Sequence, residues 1–488
     1  MSSKSSRREF LKLGGLASLG MLTFPETSFA APLASTKKAK NKKRITIVGA
    51  GLAGLSAAYH LSQAGHEITV LEAQMAPGGR VRTIRAPFAE DFYAEAGAAR
   101  FPKTHDLTMH FIKEFGLEVV PFYPTSGNLT TYAGGSHLYN TYNERRDIKK
   151  VGLPLKQAER QLGENGLFNK YVRPTLEKID DPSQVNWMNA ERRELDQISW
   201  TDFLQKKGMS DAAIKFFNIG AINVEDGKEV SALWLLRDML SGGKKYKIKG
   251  GNDQLPRAFA KSLGPKILYG CPINRIEQSE KGISAFYRNE TGEHSVEGDY
   301  LVLAIPFSVA KKIEITPALS SKKNELINNL QHASASRVTL QFKRRSWESN
   351  GLNGFATSDD PLQVWHPTFD QSGDRGILQA YIRLSLSREL AQKEEQQRVQ
   401  FVLSKMERIF PGVAQHFEGG FVKCWDEDRW AQGAAAVHAP GQLTDISNEF
   451  DKPDGRIYFA GDHLSPWPAW MQGAIYSGIK VSEKINIA

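Results

Sequence analysis

Three glycines and one acid are spaced to hold a dinucleotide. Gly49, Gly51 and Gly54 stand in the run Gly49-Ala50-Gly51-Leu52-Ala53-Gly54, and Glu72 follows eighteen residues after the last of them. Gly49 permits a tight turn, Gly51 lets backbone come up against a pyrophosphate, and Gly54 lets a helix and a strand pack closely. The helix that opens there would offer unpaired N–H groups and a positive dipole end to the phosphates. Glu72 is placed to accept hydrogen bonds from ribose hydroxyls, and its charge weighs against a 2′-phosphate, hence against NADP.

The elements that must position these residues are legible on either side. Arg44–Val48 is a short β-branched run, which predicts a buried parallel strand. Leu55–Ala64 predicts a helix, Gly65-His66-Glu67 a turn, and Ile68–Leu71 a second strand ending at Glu72. A glycine run alone is weak; strand, turn, helix, strand and acid in that order are specific. Further on stand Gly78-Gly79-Arg80-Val81-Arg82-Thr83, a C-terminal strand signal in Gly455–Asp462 that ends in Gly461-Asp462, and a helix signal over Gln472–Ile485.

Together these pieces resemble the flavin-containing amine oxidase superfamily. Gly250–Pro256 and Ala304–Phe307 extend the resemblance, which spans residues 43–488. It implies that FAD is the cofactor, with Gly79-Arg80 along its diphosphate and Gly461-Asp462 near ribityl and phosphate. Ala50, Ala53, Ala73, Ala98, Ala99 and Arg100 are implied as further FAD neighbours. Ile273, in a strand expected over Ile267–Ile276, corresponds to the family residue that touches adenine through its backbone. The last helix, with Met471 and Ala474 in its first turn, would point its N-terminus at the flavin pyrimidine ring and stabilise the reduced form. Covalent members use a cysteine in the segment that here reads Trp430-Ala-Gln-Gly433-Ala434-Ala435, so noncovalent FAD is expected.

The same resemblance implies a substrate class. Monoamine oxidases carry small residues and an aromatic where this chain has Arg100; amino acid oxidases carry an arginine that forks onto the substrate carboxylate. Trp470, with Ala469 before it, and Tyr381 match the two aromatics that confine the amino group and exclude water. Lys343, four residues before Trp347, matches the lysine that holds a water near flavin N5, although some amino acid oxidases place it two residues before, where Arg345 stands here. No histidine falls between His137 and His294, so the helical-lobe base of some relatives is absent. The expected reaction is oxidative deamination of an L-amino acid by hydride transfer to flavin, with oxygen as acceptor and hydrogen peroxide as product. Oxidation of mono- or polyamines, and an amino acid dehydrogenase feeding a quinone, are the alternatives. Glu225, Asp226 and Glu229 offer an acidic cluster for a basic side chain or a solvated loop, and Trp467 offers an aromatic pocket wall.

Composition bounds the rest. The 488 residues carry a formal +9, but residues 1–30 contribute +2 and the basic run from Lys37 to Arg44 contributes +6. The remaining charge is close to neutral, which argues against a nucleic-acid surface. Ser6-Arg7-Arg8-Glu9-Phe10-Leu11-Lys12, a short apolar stretch and Ser28-Phe29-Ala30 resemble a twin-arginine leader, whose partner is the twin-arginine export machinery. The stretch is too short for a stable membrane span, and export leads to the periplasm or medium. Cys271 and Cys424 match no metal or redox spacing, so no metal is expected; a disulfide and two buried thiols both stay open. The predicted class is α/β, with a discontinuous Rossmann-like FAD-binding domain (43–103, 244–309, 447–488), a mixed-sheet substrate domain (104–150, 310–446) and a helical lobe (151–243) after a leader (1–30) and linker (31–42). Helices are expected at Ser199–Lys207, Asp211–Ile219 and Ser231–Leu240 in the lobe, and strands at Arg337–Phe342, Gly376–Ile382 and Gly420–Trp425 with one long polar helix, Ser387–Arg408, in the substrate domain. A homo-oligomer is left open.

Overall fold

A computed structural model of the chain describes residues 38–488, apart from 143, 185, 186, 361, 448, 450 and 451. The leader read in residues 1–30 and the first part of the linker lie outside the described residues.

The apolar run Arg44–Val48 becomes the central strand of a five-stranded parallel sheet, in the order 267–268, 67–71, 44–48, 300–303 and 457–459. The pairing of Val48 with Leu71 brings the glycine turn and Glu72 out at the same, carboxyl-terminal edge, where open α/β sheets bind ligands. The helix Leu52–Ala64 packs against the terminal helix Met471–Ile487 at very close range. A Cβ on Gly478 would stand 2.3 Å from the carbonyl oxygen of Ala53, so the crossing requires glycine.

The strand expected over Ile267–Ile276 is two strands in two sheets. Ile267–Leu268 joins the parallel sheet, and Ile273–Ser279 joins a four-stranded sheet with 282–289, 292–298 and 314–316. Gly270 at φ +68° and Pro272, which has no N–H, separate them.

A seven-stranded mixed sheet carries 417–424, 335–342, 376–383, 362–365, 352–358, 128–133 and 136–140, in that order. It contains the strands predicted near 337, 376 and 420. The long helix expected over 387–408 is instead two helices, Leu384–Ala391 and Glu395–Ile409. Glu394 caps the second: its side chain accepts from the backbone of Gln397, whose own side chain accepts from the Glu394 N–H at 3.1 Å. That reciprocal cap starts a new helix where continuous periodicity suggested one. The expected helices near 199, 211 and 231 are present, each opened by a serine (Ser199, Ser210, Ser231) whose side chain accepts a backbone N–H three residues on. Cys271 and Cys424 are buried free thiols.

Candidate active site

A cavity of about 350 Å³ runs along the carboxyl-terminal edge of the parallel sheet and reaches the seven-stranded sheet. At one end it is lined by Gly49, Gly51, Ala53, Glu72, Ala73 and Ile273. A Cβ on Gly51 would meet no protein atom within 4 Å, so the missing side chain leaves room for a ligand against backbone. Gly54 and Ala50 act behind that wall and do not line it. A Cβ on Gly54 would lie 2.0 Å from the Gly49 carbonyl oxygen, and the Ala50 N–H donates to Glu72 Oε2 at 2.6 Å. Burial raises the Glu72 pKa, against the pull of that bond and of the Gln74 N–H, 2.8 Å from Oε1.

Gly79, Arg80, Ala98, Ala99, Gly461 and Asp462 continue the lining. Arg80 is paired with Asp462 and also donates to the Ala434 carbonyl at 2.9 Å. Burial alone would raise the Asp462 pKa, but the guanidinium overrides it and holds the carboxyl well below the usual range. Asp462 Oδ2 accepts the Ala469 N–H at 2.9 Å. That bond secures a residue in the left-handed region (φ +65°), a conformation that costs a non-glycine residue about 1–3 kcal/mol. Its consequence is the placement of Trp470 as the N-cap of the terminal helix, with Met471 and Ala474 facing the cavity. Neither this helix nor Leu52–Ala64 has a side-chain cap, so both present bare N–H groups and positive dipole ends to the cavity. The donor set and the open backbone at Gly51 fit a dinucleotide with an electron-accepting ring beyond it.

The far end is rich in aromatic rings and cations. Arg100 lies over the Trp365 ring (4.6 Å to the centroid), Arg337 over Trp365 (4.2 Å) and Tyr381 (3.6 Å), and Arg383 over Tyr381 (5.1 Å). All five residues line the cavity. Arg100 donates to the Tyr123 hydroxyl and Arg337 to the Gly97 carbonyl, while the buried Nη1 of Arg337 has no partner. Among the described residues no carboxylate pairs with Arg100, Arg337 or Arg383. Burial, with repulsion from Arg100 and Arg383, pushes the Arg337 pKa down to about 9. Lys245 completes the wall, 4.9 Å over the Trp470 ring and donating to the Ser241 carbonyl. Burial and then Arg100 push its pKa down to about 7. The Trp470 indole N–H donates to Asp238 Oδ1 at 2.9 Å.

Arg100, Tyr381, Ala469 and Trp470 are thus brought together as the sequence suggested. Lys343 is not. It is exposed, just past the end of the strand 335–342, and does not line the cavity. Six residues separate it from Arg337, about 20 Å along an extended strand, so the spacing from Trp347 selected the wrong end. Trp347 is itself buried away from the cavity, against Phe342 and His366. Trp467 packs on Tyr476 behind the wall. Asp226 is buried and accepts from the Ser385 hydroxyl at 2.8 Å, and Glu225 pairs with Lys228 at the surface; none of the acidic cluster lines the cavity. Lys245, Trp365, Arg337 and Arg383 escaped the sequence reading. Only Arg383 left a signal there, being two residues from Tyr381 and therefore on the same strand face.

A parallel dinucleotide sheet whose glycine turn and uncapped helix ends open onto an aromatic cavity beneath a second sheet defines a nucleotide-cofactor oxidoreductase. The chain belongs to the flavin containing amine oxidoreductase family, whose sequence profile matches residues 52–486, and FAD is accordingly its cofactor. It is similar to YobN of Bacillus subtilis (strain 168), with 30% identity over 92% of this chain and 95% of that protein. It is also similar to the L-amino-acid oxidase of Echis ocellatus, with 29% identity over 93% of this chain and 90% of that protein. Putrescine oxidase bound to putrescine shares the fold at a TM-score of 0.77 and 20% identity, covering 92% of this chain and 100% of that one.

Proposed function

We propose that this enzyme oxidises L-amino acids to 2-oxo acids, with release of ammonia and hydrogen peroxide. The observation that carries the reading is the guanidinium of Arg100 in an aromatic cavity wall, with no carboxylate partner among the described residues. Of its five N–H donors, those beyond the bond to Tyr123 are open to a substrate carboxylate, and the fork matches that group in two places. A wall of Arg100, Arg337, Arg383 and Lys245 attracts an anionic group and repels a protonated diamine. The L-amino-acid oxidase from Echis ocellatus supports the same reading.

In this proposal Gly51, Glu72, Arg80, Asp462 and the ends of the two uncapped helices hold FAD, without a covalent link because Trp430–Ala435 carries no cysteine. Bound FAD supplies two-electron oxidation of the substrate amine and returns those electrons to oxygen. The amino acid gives up two electrons and two protons, which leave in hydrogen peroxide, and water then replaces nitrogen in the imino acid. Arg100 fixes the carboxylate, Tyr381 and Trp470 confine the amino group and exclude water, and Asp238 fixes the indole of Trp470. Lys245, 4.9 Å from the Trp470 ring and with its pKa pushed down to about 7 by burial, adds a second cation to that wall.

The same proposal takes residues 1–30 as a twin-arginine leader and the periplasm or medium as the place of work. Among the described residues no helix is long and apolar enough to cross a membrane. Peroxide release from purified enzyme, measured across L-amino acids, their D-enantiomers and their decarboxylated amines, tests the reaction. Turnover confined to L-amino acids supports it; turnover confined to amines overturns it. Turnover of amino acids with a quinone but without peroxide would reassign the acceptor.

A further inference from the structure

We propose that Arg383 is a specificity residue that binds a second carboxylate, so the preferred substrates are dicarboxylic L-amino acids. This rests on the reading of Arg100 as the α-carboxylate clamp. Arg383 and Tyr381 are alternate residues of one strand, share a face and both line the cavity. The guanidinium of Arg383 lies 5.1 Å from the ring that confines the amino group, on the side of the chain that continues into Leu384. It is therefore positioned beside a substrate whose carboxylate is held further along the row, at Arg100.

The local backbone holds this position. Leu384, also in the cavity wall, takes the left-handed φ of +53° and donates its N–H to the Ser334 carbonyl at 2.9 Å. A non-glycine residue in that region is strained, and such strain is retained where a site needs it. The turn stops the strand at Arg383 and keeps its guanidinium in the wall.

Charge then distinguishes Arg383 from its neighbour five residues on. Arg388 faces Asp226 and Glu229, each at 3.6 Å, so it consumes the acids of that region. Arg383 has no carboxylate partner among the described residues. The cavity that it lines also has apolar residues in its wall, among them Ala221, Ile222, Trp234 and Ala435. A cation facing such a low-dielectric pocket gains most from an anion delivered by the ligand. One α-carboxylate offsets Arg100 and leaves Arg337 and Arg383, both against Tyr381, without an anion. A side-chain carboxylate fills that deficit, whereas a leucine or methionine side chain would be set against an uncompensated charge.

The test uses the holoenzyme. kcat/KM is measured for L-glutamate and L-aspartate against the neutral isosteres L-glutamine and L-asparagine, with L-leucine and decarboxylated amines alongside. Dicarboxylic substrates are expected to exceed their amides by at least about tenfold, the worth of one charge-assisted hydrogen-bonded contact. Arg383→Met is expected to reverse the order, with glutamate falling and leucine rising, and Arg383→Lys to retain part of the preference. Perturbation of the flavin absorption by glutarate and butyrate supplies a binding readout, with glutarate expected to bind at least about tenfold tighter. That comparison needs no variant, so it decides the matter if Arg383→Met fails to fold. Preference for neutral amino acids, with butyrate binding as well as glutarate, overturns the role of Arg383 and leaves the amino acid oxidase reading standing. Turnover of amines alone overturns both.

Discussion

Arg100→Met is the substitution that most directly separates an amino acid oxidase from an amine oxidase on this fold. A bidentate carboxylate makes two charge-assisted hydrogen bonds, each worth about 1.5–3 kcal/mol, in a site where aromatic rings exclude water. Allowing for non-additivity, the loss is about 3–4 kcal/mol, or two to three decades in kcat/KM. The fold should tolerate the change. Contacts of the guanidinium with Trp365, Phe122 and Tyr123, at 4.6, 5.4 and 5.8 Å, are lost at about 0.5–1 kcal/mol each. Against that loss, Lys245 and Arg337 are relieved of a like charge that lowers both their pKa values. The melting temperature should therefore move by only a few degrees.

The assay compares an L-amino acid with the amine that lacks only its carboxylate, such as L-leucine and 3-methylbutylamine. Arg100→Met should lower kcat/KM for leucine by about 10²–10³, while any turnover of the amine stays level or rises. Arg100→Lys should recover only part of the loss, because an ammonium supplies charge without the planar fork. An equal fall for both substrates would refute the reasoning, since it would show Arg100 acting through the cofactor or the fold. No fall for leucine would refute it outright.

Other expectations follow from the same geometry. Lys343→Ala should leave kcat/KM within about twofold, because the side chain is exposed beyond the strand end and outside the cavity. Arg80→Met should weaken FAD retention by at least about tenfold on gel filtration, since it strands the buried Asp462 that secures Ala469; full retention would count against that assignment. Glu95 is buried, accepts the Asn252 N–H at 2.7 Å, and burial pushes its pKa up from 4.5 to about 8. The folded state therefore holds a proton that the unfolded state has released, so stability falls as pH climbs from about 4.5 to about 8, by at most about 5 kcal/mol. Glu95→Gln should flatten that slope in urea-unfolding midpoints, and identical slopes in both proteins would exclude Glu95 as its source.

What the sequence disclosed and what it hid divide along a physical line. The strand 44–48, the glycine turn and Glu72 are specified by neighbours within thirty residues, so spacing alone picked out residues that line one end of the cavity. The aromatic end depends on sheet register, where Arg337 stands opposite Tyr381 and Trp365 opposite Gln379. No local periodicity encodes those pairings, and a count from Trp347 reached Lys343 although the cavity lies at the other end of the strand. Break points show the same dependence on local chemistry that competes with pattern: Pro272 split one strand, and the Glu394 cap split one helix. Charge shows it most plainly. Beyond residues 1–30 and the basic run the chain is nearly neutral, yet Arg100, Arg337, Arg383 and Lys245 meet in one cavity wall, with no carboxylate partner for the three arginines among the described residues. Net charge measures solubility and long-range attraction, whereas recognition depends on which charges the fold leaves uncompensated. Here those charges are positive and line the cavity, which is why the proposed reaction takes a carboxylate on a family fold shared with an amine oxidase.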